Sequence, residues 1–223
     1  HNSSYDVDAS TNIEVDNDFV ISSGELDMGS NQLYVKGDIS NSGTLTTTNS
    51  SLTMNGSSAQ TISSAINATD MVITNTSGVT ANANVTLSGN LTLSASCNYN
   101  IGTTTTTVAG SSDINGTLTI SSGTYDANGT YDATGGNTTI SGAGRLQLAN
   151  TVTSLGTASL NSASTVEYDG AGTQTIDDLS AKSSYGNVEI EGGLKNMEGG
   201  TTVSNKLTWG GDADMATNGH TLT

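Results

Sequence analysis

Apolar residues recur at every second position, in short bursts spread along the whole chain. Asn12-Ile13-Glu14-Val15, Gln32-Leu33-Tyr34-Val35, Ser51-Leu52-Thr53-Met54 and Leu91-Thr92-Leu93 show it early. Thr117-Leu118-Thr119-Ile120, Arg145-Leu146-Gln147-Leu148, Asn187-Val188-Glu189-Ile190 and Leu207-Thr208-Trp209 repeat it later. Alternation of this kind puts one set of side chains on one face of a pleated strand. The bursts are short and rich in Thr, Val, Ile and Leu. Asn-Gly, Ser-Gly and Gly-Gly pairs separate many of them and tolerate the backbone of tight turns. No stretch carries a 3.6-residue apolar period. The pattern predicts an all-β chain with essentially no helix.

A longer repeat overlies the alternation. Leu52-Thr-Met-Asn-Gly-Ser-Ser-Ala-Gln-Thr-Ile62 aligns with Val166-Glu-Tyr-Asp-Gly-Ala-Gly-Thr-Gln-Thr-Ile176, which sets Gln60 against Gln174, 114 residues on. Each copy leads to a further strand, at Met71–Ile73 and at Val188–Ile190. Val85-Thr-Leu-Ser-Gly-Asn-Leu-Thr-Leu93 then matches Thr201-Thr-Val-Ser-Asn-Lys-Leu-Thr-Trp209. Upstream, Val20-Ile-Ser-Ser-Gly-Glu-Leu-Asp27 is similar to Thr119-Ile-Ser-Ser-Gly-Thr-Tyr-Asp126. The expected organisation is an N-terminal extension of residues 1–11 and two degenerate repeats, about 12–110 and 111–223. A third copy begins as the sequence stops, since Val203–Trp209 parallels Val15–Ile21.

Composition decides between two all-β architectures. Only 33% of residues are hydrophobic, Phe and Trp occur once each, Gly 27 times and Pro not at all. A β-sandwich, the alternative, fills the space between its sheets with large side chains that are scarce here. A parallel β-solenoid needs only a thin core, uses glycine at its corners and pairs nearly every backbone N–H with the next rung. The expectation is a parallel β-solenoid (β-helix) of roughly ten short rungs. At about 4.8 Å per rung it makes a rod of about 45–50 Å.

Units of the form Asn-Gly-x-x-x-Gln-Thr-Ile, a strand, then Leu-Ser-Gly-Asn-Leu-Thr-Leu resemble the repeats of secreted bacterial surface proteins and adhesins with parallel β-helix folds. The resemblance covers most of residues 12–223. It implies an exported, elongated protein concerned with adhesion, surface coats or matrix, and it carries over no catalytic residue. The chain opens on His1, which points to a processed polypeptide or a piece of a longer one.

Charge narrows the partners. The chain carries 21 Asp+Glu against 5 Lys+Arg, a net charge of −16. That leaves no electrostatic basis for nucleic-acid binding or for attraction to anionic lipid. No apolar run is long enough to span a membrane as a helix. Cys97 is the only cysteine, so no internal disulfide is expected.

Candidate chemistry is sparse. Lyase chemistry on acidic sugars needs clustered cations, and the supply is Lys36, Arg145, Lys182, Lys195 and Lys206, widely spaced. Asp177-Asp178 could offer paired carboxylates for glycoside hydrolysis, but adjacent acids on a polar excursion read as a solvated turn. His1 and His220 belong to no triad motif, and no phosphate loop or metal-ligand spacing appears. No enzyme activity and no cofactor are expected. Asp6, Asp8, Glu14, Asp16 and Asp18 near one end, with Asp212 and Asp214 near the other, could hold Ca²⁺. The weightier reading is a solubilising acidic edge. The Thr103–Thr107 run raises water ordering, yet no threonine pair repeats along the sequence at a fixed rung period. Of ten Asn-x-Ser/Thr triplets, Asn55, Asn115 and Asn128, each followed by Gly, are the best glycosylation candidates.

The expected function is that of an extracellular structural protein, a subunit joined head to tail to further copies in a surface filament or matrix fibre. His1–Ser10 could add a strand to a neighbour. One alternative is a segment of a large cell-surface adhesin. Another is a carbohydrate-binding module reading surface glycans with Tyr125, Tyr131, Tyr168 and Tyr185 on one groove.

Overall fold

A computed structural model describes residues 6–47, 49–179 and 184–223. Among them there is no helix, and every strand pairing is parallel. The strands pass in turn around three faces, and each pairs with the strand one coil later. Leu33 sits against Leu52, and Leu52 against Met71, so one coil takes nineteen residues there. The chain is a parallel β-solenoid of about ten turns.

The first face stacks Ile13–Val15, Leu33–Val35, Ser51–Met54, Asp70–Ile73, Leu91–Leu93, Ser112–Ile114, Tyr131–Asp132 and Val152–Ser154. Gln174–Ile176, Leu194–Met197 and Asp214–Ala216 form a short sheet that continues it. The second face stacks Phe19–Ile21, Ile39–Asn41, Gln60–Ile62, Val79–Ala81, Asn98–Ile101, Thr117–Ile120, Asn137–Ile140 and Thr157–Leu160. The third face has two sheets. Asp6–Asp8, Glu25–Asp27 and Thr44–Thr46 make the first. The second runs from Ile66–Ala68 through Val85–Leu87, Thr105–Val108, Thr124–Ala127, Arg145–Leu148, Thr165–Tyr168 and Tyr185–Ile190 to Val203–Trp209. Asp6–Asp8, inside the expected N-terminal extension, thus pairs within its own chain, against Glu25–Asp27. Residues 1–5 of that extension lie outside the described residues.

Alternation does the packing. Leu33, Leu52, Met71 and Leu91 form one fully buried inward column, while Tyr34, Thr53, Val72 and Thr92 form the outward one beside it. Burial of each such aliphatic side chain contributes about 1.5–3 kcal/mol. Three faces enclose a core about one side chain deep from each side, which is how 33% hydrophobic residues suffice.

Tyrosines close the core where an inward position is small and polar. The Tyr99 hydroxyl lies 2.8 Å from Thr106 Oγ1, and that of Tyr131 2.7 Å from Thr138 Oγ1. Tyr125 donates to Ser112 Oγ at 2.7 Å, and the Tyr168 and Tyr185 hydroxyls meet at 2.9 Å. In each of the first three pairs a large side chain on one face reaches a short one on another, filling the volume and satisfying both polar atoms. All five rings are fully buried. Burial pushes all five phenols above their ordinary range.

The Asn/Asp-Gly-x-x-x-Gln motif is a corner staple. Gln60 Nε2 donates to Val35 O (3.0 Å) and to Gly37 O, while Oε1 accepts from Gly56 N (3.0 Å) and Asn75 Nδ2 (2.9 Å). Gln174 repeats the arrangement with Leu148 O (2.6 Å), Asn150 O (2.7 Å) and Gly170 N (2.8 Å). The two staples occupy different corners. Leu52–Met54 lies on the first face and Gln60 on the second, whereas Val166–Tyr168 lies on the third and Gln174 on the continued first. An offset of 114 residues is therefore not a whole number of coils, and the second copy is turned by one face.

Candidate functional site

The acidic residues singled out near the N-terminal end are tied into the coils. Lys36 Nζ sits 2.7 Å from Asp16 Oδ1 and 2.6 Å from Glu14 Oε1, and those two hydrogen bonds raise the lysine above its ordinary range. Asp18 Oδ1 accepts the Asp38 N–H (2.9 Å), and Asp38 Oδ1 accepts the Thr61 N–H (2.7 Å). These carboxylates carry the hydrogen-bond ladder around a corner. Asp8, Asp212 and Asp214 are exposed. Among the described residues no three His, Cys, Asp or Glu side chains gather where an ion could be held.

The residues weighed for catalysis are dispersed. Asp177 Oδ2 accepts the Leu155 N–H (2.6 Å) and the Ser154 hydroxyl (3.3 Å), so it fastens a corner. His220 is exposed near the C-terminal end; His1 and Lys182 lie outside the described residues. Arg145 lies on the third face between Glu167, 3.0 Å away, and Glu189. Lys195 is wholly buried above Gln174, its ammonium donating to Gly170 O (2.8 Å) and Gly192 O (2.6 Å). Desolvation lowers its pKa. Cys97 is buried at a corner, and burial raises its thiol.

Tyr125, Tyr131, Tyr168 and Tyr185 all point into the core and present no ring to a ligand. The three glycosylation candidates differ in access. Asn128 is exposed, with Nδ2 3.1 Å from Asp126 Oδ1. Asn115 is half-buried and donates to Asp113 at 2.7 Å. Asn55 is half-buried in the corner staple, its Oδ1 buried without a partner; Asp169, its counterpart in the second copy, leaves Oδ1 in the same condition.

The surfaces that depart most from the internal pattern are the edges of the end coils. Val203–Trp209 pairs on one side with Tyr185–Ile190, setting Leu207 over Val188 and Trp209 over Ile190. Val188 and Ile190 are buried, whereas Leu207 and Trp209 stand 38% and 46% exposed, because no described strand covers them. Trp209 is held at this end by its Nε1, which donates to Ala213 O at 2.9 Å. At the opposite end Val7, in the same inward column as Leu26 and Leu45, is 55% exposed. Among the described residues, both ends thus present a strand edge with no partner and its inward apolar residue uncovered.

A cleft of about 610 Å³ opens on the third face where Thr44–Thr46 and Ile66–Ala68 do not pair. Thr47 and Thr69 bridge the gap beside it, the Thr69 N–H donating to Thr47 Oγ1 at 2.9 Å. Threonine, serine and asparagine side chains line it together with Leu45 and Ala68, and none of the lining residues is charged.

The fold and these surfaces define a parallel β-solenoid whose end strands have no outer partner among the described residues. No family model, curated protein or solved structure matches the chain. The architecture implied by the resemblance to β-helical repeats is present; the family it named has no match behind it.

One pattern escaped the sequence reading. On the second face Thr61, Thr80, Asn100, Thr119, Thr139 and Ser159 form one outward column. Asn98, Thr117, Asn137 and Thr157 form a second beside it. A Thr/Asn pair therefore does recur with the coil, in Asn98-x-Asn100, Thr117-x-Thr119, Asn137-x-Thr139 and Thr157-x-Ser159. Spacings of 19 and 20 residues between pairs hid the period from a search at fixed distance.

Proposed function

We propose that the chain is an extracellular structural element whose end coils are continued by those of further copies, giving a surface filament or matrix fibre. The observation that supports this best is the pair of open edges, Val203–Trp209 at one end and Asp6–Asp8 at the other. Each lies on the third face and leaves an inward apolar residue uncovered. A copy stacked on Val203–Trp209 would extend a parallel ladder and cover Leu207 and Trp209. Such a contact is heterologous, does not close, and propagates into a fibre. The Ser, Thr and Asn richness and the resemblance to secreted surface repeats favour a place outside the cell.

The experiment is sedimentation and negative-stain microscopy across a concentration series, with the parent chain beside Leu207→Lys. The parent should lengthen with concentration, and the lysine should stop it by burying a charge in the joint. A parent that stays monomeric at every concentration refutes the proposal. The same edges would suit continuation by further coils of one longer polypeptide, as in an adhesin. A native polypeptide mass well above 22.5 kDa selects that reading.

A further inference from the structure

The second face and both its flanking corners carry no charge across six successive coils. Residues 55–65, 74–84, 94–104, 115–123, 133–144 and 155–164 trace this belt and contain no Asp, Glu, Lys, Arg or His. The chain as a whole is 12% charged with a net charge of −16. The charges stand outside it, and the carboxylates of Asp38 and Asp177 bound its two ends, where they accept the Thr61 and Leu155 N–H groups. Asp70, Asp113 and Asp132 are on the first face, and Asp126, Arg145, Glu167, Glu189 and Lys206 on the third. Within the belt, the side-chain hydroxyls of Thr80, Thr119, Thr139, Thr157 and Ser159 make no hydrogen bond among the described residues, and all five stand on the outward columns.

We infer that this belt is a side-to-side contact surface for a second copy of the chain. Electrostatics selects the partner. Two molecules of charge −16 repel wherever acidic surfaces meet within a Debye length of about 8–10 Å. The belt lets them approach with neutral surface at the contact itself. Hydroxyls and carboxamides both donate and accept, so the face is complementary to itself, as a two-fold contact requires. The columns repeat at the strand spacing of about 4.8 Å in both copies, so one match in register brings the others into register.

Area sets the strength. Six strands at that spacing and about 13 Å of strand length give roughly 400 Å² per copy, or about 800 Å² in a pair. A stable pair buries about 1,200 Å² or more. The contact is therefore weak between two single chains and grows when many are presented along a fibre. Its strength in bundles, though not its existence, rests on the end-to-end reading.

The test places charge in the belt of the full chain with Thr119→Glu and Thr139→Glu together. The control adds the same charge elsewhere, with Thr92→Glu on the first face and Thr107→Glu on the third. Sedimentation equilibrium at high concentration, in a Leu207→Lys background that blocks the ends, reads the lateral contact alone. The background and the control should show a weak dimer, and T119E/T139E should weaken it at least tenfold. By microscopy, parent fibres should lie in lateral bundles and T119E/T139E fibres should lie singly at unchanged length. If no fibres form, the end-to-end reading fails while sedimentation still decides the lateral one. Should the double variant melt early, Thr157→Glu, at an exposed position, replaces it. A background that remains monomeric, or dimers that T119E/T139E leaves unchanged, overturns the inference. So does glutamate-sensitive adsorption to ice or a neutral polysaccharide without self-association, which assigns the belt to another occupant.

Discussion

Replacing Gln60 with alanine removes a side chain that joins three successive coils at one corner. Its amide donates to Val35 O and Gly37 O one coil below and accepts from Gly56 N and from Asn75 Nδ2 above. Not all four partners are orphaned. Val35 O still accepts the Asn55 N–H (3.1 Å), and Asn75 Nδ2 still donates to Ser58 O (2.7 Å). Gly56 N–H and Gly37 O each lose a hydrogen bond. At about 1–3 kcal/mol for each buried group left unpaired, plus the vacated volume, Q60A should cost about 3–5 kcal/mol. Q174A removes three bonds and should cost nearly as much. Gln147→Ala, which loses an amide on the outward third face, should cost about 1 kcal/mol or less. Guanidinium unfolding measures all three. Amide exchange at Gly56 and Gly170 serves as a local readout, because stacked coils need not unfold as one unit. If Q60A costs no more than Q147A, the corner motif is not a staple and the explanation of the internal repeat is wrong.

Three further substitutions probe the core and the corners. Tyr125→Phe strands Ser112 Oγ in the core and should cost about 1–2 kcal/mol; adding Ser112→Ala should recover about 1 kcal/mol of the summed single losses, and strict additivity would contradict the pairing. Burial, then the Glu167 carboxylate, raises the Asp169 carboxyl above its ordinary range. Its contribution to stability is full below about pH 3.9 and is lost as pH rises through the raised value. D169N, which copies Asn55, should therefore gain on the parent between about pH 4 and pH 7, and a pH-independent difference in melting would refute the assignment. Gly129→Ala sets a Cβ 2.1 Å from Gly110 O, so a loss of about 1–3 kcal/mol by thermal melting is expected, and an unchanged melt would show that the corner relaxes freely.

Period-two bursts such as Leu33-Tyr34-Val35 contain the strands and their two sides directly, because a pleated strand imposes that alternation wherever one face is buried. Shortness of the bursts and the glycine corners carried the choice of solenoid. The number of faces was not readable, since a three-residue strand and a corner look alike on every face. Burial of the tyrosines was hidden because the small inward partners that make room for them, Thr106, Ser112 and Thr138, stand in other strands. The parallel between Val203–Trp209 and Val15–Ile21 did not carry over, because the first is one strand on the third face and the second spans the corner between the first and second faces. The Thr/Asn columns were not visible, because unequal corner lengths shift residues that end up stacked.

The rotated repeat means that the three faces share one grammar. A strand and its corner form a unit of about a third of a coil, and the structure accepts that unit on any side. Removing one such unit, as from Asn115 to Ser121, would not simply shorten the rod. Every face downstream would turn by a third of a revolution, like a change of reading frame, with the buried columns still buried and the Gln174 staple moved to a different corner. The uncharged belt would then break into two half-belts on different sides. A straight neutral strip along this molecule therefore depends on keeping whole turns, although its folding does not.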